Sequence, residues 1–198
     1  MAGMQNNRKA TKLNTSKAAY DFYSTNPSFW YQKSVSLYAS ATLVRNGVLV
    51  LSEKEFSSSL GLKGAFSAWE GCEHPYLMLM GQSYEVLLKA ICLTQGTPFP
   101  MDKHDLLAVA ESAGIKPMKN EKVQLRLLSE FISWEGRYPV PKSHGRMTQH
   151  WNATRKSLWQ EDERGKRRTD IFEHENLKAL WLKLQEKYWA NVYNNSYK

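Results

Sequence analysis

The stretch from Tyr76 to Leu93 reads YLMLMGQSYEVLLKAICL and is apolar everywhere except at Gly81, Gln82, Ser83, Glu85 and Lys89. A helix that is apolar around most of its circumference has no face to give to water, so it belongs in the middle of a helical bundle. Two charges within the run argue against a membrane span. A carboxylate in such a helix is costly unless it is paired. Glu85 and Lys89 stand four apart in the favourable acid-before-base order and can pair with each other.

The 198 residues suit a single domain, here 18–198, preceded by a basic tail, 1–17. A 42% share of hydrophobic residues, with seven Trp and ten Tyr, is enough to build a core. Cys72 and Cys92 have no metal-ligand spacing, and no leader peptide is visible. These features lead us to expect a reduced, cytoplasmic protein with no membrane contact. No Gly-rich phosphate loop, zinc spacing or serine-hydrolase elbow occurs, so no metal or cofactor is expected.

The net charge of +8 suits a polyanionic partner such as nucleic acid. Part of it lies in Met1–Lys17, where Arg8, Lys9, Lys12 and Lys17 occur without an acid. This segment is too polar to fold alone. It reads either as a solvated tail or as a basic arm that touches RNA or DNA.

Helical spacing and breakers divide the rest. A first helix begins near Ala18, and Asn26-Pro27-Ser28 separates it from a second, Phe29–Arg45, ended by Asn46-Gly47. Val48–Leu51 reads as a strand or as a continuation of that helix, and Ser57–Gly64 as a loop. The central helix starts near Glu73-His74-Pro75. After the turn Gly96–Pro100, Asp102 or His104 precedes a short helix, Asp105–Ser112, which Gly114 ends. Asn120 caps the next helix, which runs to about Glu135. Pro141–Asp170 is polar and irregular, and the last helix spans Ile171–Tyr193. With no alternating strand pattern, the fold class is all-α, an up-and-down bundle.

Four features in order resemble the HEPN domain family of four- to five-helix nucleotide-binding bundles. They are the aromatic helix with Trp30, Tyr38, Ala39 and Ala41; the core Gly81-Gln82-Ser83-Tyr84-Glu85-Val86-Leu87-Leu88-Lys89-Ala90; His104-Asp105-Leu106 after a turn; and Gly136-Arg137-Tyr138-Pro139, similar to the "RYP" ending of one prokaryotic branch. The resemblance covers roughly Phe29–Pro141 and extends less fully to the last helix. It implies a nucleotide- or RNA-binding or interaction module, within a defence or toxin system, acting as a homodimer or with a partner protein.

Catalytic members of that family resemble metal-independent ribonucleases that carry an Arg and, after four to six intervening residues, a His. Cleavage by the neighbouring 2′-hydroxyl needs an acid or base near neutral pH and a fixed cation on the phosphate. Arg137 with His144, and Arg168 with His174, fit the spacing, as does Arg167 with His174; Arg146 with His150 falls outside it. Arg168–His174 leads into the last helix, as the family motif does. Arg137 is also a candidate partner for the Glu85 carboxylate. Glu85, Lys89, His104 and Asp105 read as groups that orient the site, and His104 equally as a local helix-start residue. Trp151 and Trp159 lie among Arg155, Lys156, Lys166 and Arg167, a mixture that suits base stacking and phosphate contacts on single strands. Such tryptophans also serve simply as packing. Three functions stay open: a binding module, an endoribonuclease and a structural interaction partner.

Overall fold

Asn26 interrupts the chain early because its side-chain oxygen accepts hydrogen bonds from the Ser28 backbone N–H (3.0 Å) and hydroxyl (2.8 Å). Pro27 then opens a helix at the position where its missing N–H costs nothing. The computed structural model describes residues 15–50, 52–63, 66–100, 104–162, 165–168 and 170–196, with backbone alone between 158 and 168. Most of the basic tail, including Arg8, Lys9 and Lys12, lies outside the described residues; residues 15–25 form helix α1.

Helix α2 spans Pro27–Val50. It passes through Asn46-Gly47, the expected stop, because Gly47 does not take the positive φ of a helix terminator; Gly61, Gly96 and Gly114 do. Val48–Val50 therefore continue the helix rather than forming a strand. A capping box between Ser52 and Glu55 starts α3, Glu53–Ser59, which occupies the first part of the expected loop. Helix α4, Ala68–Gln95, begins at the Ser67 cap, earlier than Glu73–Pro75, and carries Pro75 inside it. Pro75 forfeits its N–H bond to the Gly71 carbonyl, and its ring crowds that carbonyl. Gly96 ends α4 with φ 65°.

Asp105, rather than His104, caps α5, Leu106–Ser112, its carboxylate accepting from Leu107 and Ala108 N–H at 3.0 and 3.2 Å; Asp102 lies outside the described residues. Helix α6, Lys119–Glu130, continues into a π-helical turn, Phe131–Glu135. Its first turn is held by Glu121, not by Asn120: the carboxylate accepts from the Met118 N–H (2.7 Å) and from Lys183 (2.7 and 2.9 Å). The segment expected to be irregular instead forms α7, His144–Leu158, and an antiparallel hairpin of β1, Trp159–Asp162, and β2, Gly165–Arg168. Helix α8 spans His174–Ser196, following a turn over Asp170–Glu173.

The architecture is an all-α bundle around α4, with the hairpin as its one described β element. Tyr84, Met80, Leu87, Leu88 and Ile91 are fully buried on α4. Ser34 and Ala41 are the small buried residues through which α2 approaches it. Stacked ring pairs, Tyr31 on Tyr188 and Tyr38 on Trp181, each with centroids 4.4 Å apart, join α2 to α8. The Tyr84 hydroxyl donates to the Leu177 carbonyl, tying α4 to α8. A Cβ on Gly81 would stand 2.9 Å from Ile132 Cγ1, so this glycine lets the π turn close on α4. By length and composition α4 could cross a membrane, and 67% of its most apolar window is buried inside the bundle.

Candidate functional site

Glu85 lies in the core with 9% of its side chain exposed. One carboxylate oxygen accepts from Lys89 Nζ at 2.7 Å; the other lies 2.9 Å from His104 Nδ1. The pairing with Arg137 does not form. Arg137 is exposed and donates to the Ser133 carbonyl at 2.7 Å, with its guanidinium against the Tyr138 ring. The physical reason is reach: Lys89 is one helical turn away on the same helix, and His104 enters on the loop before α5. Glu85 and Lys89, both buried, and the partly exposed His104 thus form a clasp joining α4 to the loop before α5, while the exposed Asp105 caps that helix.

The two Arg/His spacings have different fates. His144 opens α7 and is exposed, as is Arg137. His174, at the first position of α8, is buried, and its Nδ1 lies 2.9 Å from the Tyr76 hydroxyl. Arg168 belongs to β2, and its side chain, like those of Trp159, Lys166 and Arg167, lies outside the described residues.

Another arginine reaches His174 from a distant part of the chain. Arg45 on α2, Trp69, Glu73 and Tyr76 on α4, and Glu173 and His174 line one small cleft of about 40 Å³. Burial lowers the His174 pKa below 6.5, and the Arg45 charge lowers it further. The imidazole is therefore neutral at neutral pH. Burial also raises the Tyr76 pKa, so its phenol keeps its proton. When His174 Nδ1–H donates to Tyr76, the lone pair sits on Nε2, which has no partner among the described residues. A neutral base, a phenol and a guanidinium here come from three helices. Sequence spacing left Arg45 as a helix end and Tyr76 as a core residue; no local pattern marks either.

Helix α7 forms a second surface. It contains no acidic residue, and Arg155 and Lys156 lie in its last turn. Trp151 is 60% exposed at its middle. Thr148 and Arg155 share its side of the helix by their spacing, and both are exposed. On the opposite flank His150 is buried, its Nε2 2.8 Å from Glu135 and 3.2 Å from Thr154 Oγ1. The nearby Arg146 pairs with Glu130 at 3.2 Å. The Arg146 and His150 pair, excluded by spacing, lines a common groove.

Cys92 is buried, and burial raises its thiol pKa to about 11, which removes it as a nucleophile. No cluster of three or more metal-ligating side chains occurs among the described residues. No protein-family profile, no curated protein and no solved structure matches the chain.

Proposed function

We propose that this protein is a HEPN-like helical module that binds single-stranded RNA across the exposed side of α7. The observation that carries the reading is the exposed Trp151 on an acid-free helix that also displays Arg155 and Lys156. An exposed indole offers a π face to any base, and the flanking cations offer contacts to phosphates. The excess of positive charge in the chain supports the same reading. The test is a salt titration of binding to labelled single-stranded RNA. Affinity should fall linearly on a log–log plot, and no binding even at low salt sinks the proposal.

A second reading, metal-independent RNA cleavage, is favoured by the meeting of Arg45, Tyr76 and His174. In that chemistry the 2′-hydroxyl loses its proton to a neutral imidazole and attacks the adjacent phosphorus. The 5′-oxygen leaves and takes up a proton, giving a 2′,3′-cyclic phosphate. A guanidinium stabilises the charge gathering on the phosphoryl oxygens. Cleavage of labelled RNA in EDTA is compared for the wild type and for His174→Ala, His144→Ala and Arg45→Gln. Loss in His174→Ala and Arg45→Gln but not in His144→Ala supports this reading. Equal or absent activity in all four removes it.

A further inference from the structure

A groove of about 520 Å³ separates α6 from α7. Arg126 and Glu130 line it from α6; Ser143, Arg146, Gln149 and His150 line it from α7 and its cap. Its volume lies within the usual range of small-ligand sites, roughly 300–1,000 Å³. Its donors outnumber its acceptors. Arg126 is exposed and makes no ion pair among the described residues. Arg146 spends Nε on Glu130, which also accepts from the Trp134 indole at 2.7 Å, so the acid is held at the wall.

The open end of α7 faces the same groove. Ser143 Oγ accepts from the Arg146 N–H, but the N–H groups of His144 and Gly145 find no partner among the described residues. No acid occupies this first turn. A Cβ on Gly145 would meet nothing within 4 Å, so a ligand can approach the backbone there. An independent sign comes from His150, which also lines the groove. It is 95% buried, its Nε2 lies 2.8 Å from Glu135, and its Nδ1 has no hydrogen-bond partner among the described residues.

We infer that the groove binds a phosphate monoester. Two guanidiniums and the free N–H groups of a helix start match the several terminal oxygens and double charge of that group. Glu130 and Gln149 supply acceptors for hydroxyl groups on whatever carries it. This site is separate from the Trp151 side of α7 and does not depend on RNA binding there. The monoester can be the end of an RNA or a free small sugar phosphate.

Calorimetric titration of the full chain separates these sources, using inorganic phosphate, ribose 5-phosphate and a short RNA with either a 5′-phosphate or a 5′-hydroxyl. Arg126→Gln changes an exposed side chain, and circular dichroism checks that its fold is kept. The wild type should bind inorganic phosphate, and Arg126→Gln should weaken it by roughly tenfold or more. Trp151→Ala should leave phosphate binding unchanged while weakening the 5′-hydroxyl RNA. A further gain for 5′-phosphorylated RNA assigns the site to an RNA end. A gain for ribose 5-phosphate alone assigns it to a small ester. No binding of any phosphate probe, or equal binding by wild type and Arg126→Gln, overturns the inference.

Discussion

Glu85 is a single residue whose environment decides its worth. Its two oxygens are divided between Lys89 and His104, and both Glu85 and Lys89 are buried. Removing one member of a buried pair strands the other charge, at about 3–5 kcal/mol. Glu85→Gln should therefore lower unfolding stability by about 3 kcal/mol in urea, whereas Arg137→Gln should change it little. His174 carries a pH dependence whose sign follows from its lowered pKa. Below the unfolded value of 6.5 the unfolded chain binds a proton that the folded one resists. Stability is thus fully present above that value and is lost as pH falls through the folded pKa. Melting temperatures measured across this acidic window should fall less steeply for His174→Gln than for the wild type.

At the scale of elements, the central helix and its neighbours meet through small residues. Gly81 has no room for a methyl group beside Ile132. Gly81→Ala should destabilise by about 1–3 kcal/mol through overpacking, although alanine is the better helix former. Helix α7 bears the opposite character, with its polar and aromatic groups turned outward. Trp151→Ala should weaken single-stranded RNA binding by about 1–3 kcal/mol without lowering the melting temperature. Replacing both Arg155 and Lys156 with Gln should instead flatten the salt dependence, by about 0.7 per lost phosphate contact. Filter binding at several salt concentrations distinguishes the two effects.

For the whole molecule, the basic N-terminal segment and α7 are alternative sources of the polyanion affinity proposed above. Deleting residues 1–14 removes Arg8, Lys9 and Lys12. If the segment acts as an arm, the salt slope should fall by up to about 2 while the melting temperature stays put. An unchanged slope makes it a solvated tail. The apolar run Tyr76–Leu93 determined by itself that α4 is central, and helical spacing without a strand pattern determined the all-α class, because periodicity and breakers are local properties of the chain. Local reading placed the main helices but misjudged their ends, as at Gly47 and Pro75, where tertiary packing outweighs a propensity of about 1 to 3 kcal/mol. It also missed α7 and the hairpin after it. Trp151 with Arg155 and Lys156 was legible as an aromatic among cations close in sequence, although the helix that carries all three was not. What only the tertiary structure decided is which groups meet across long separations: Glu85 with His104, Arg45 with His174, and Arg126 with Arg146. Those meetings depend on how helices cross, and no spacing along one element encodes a crossing.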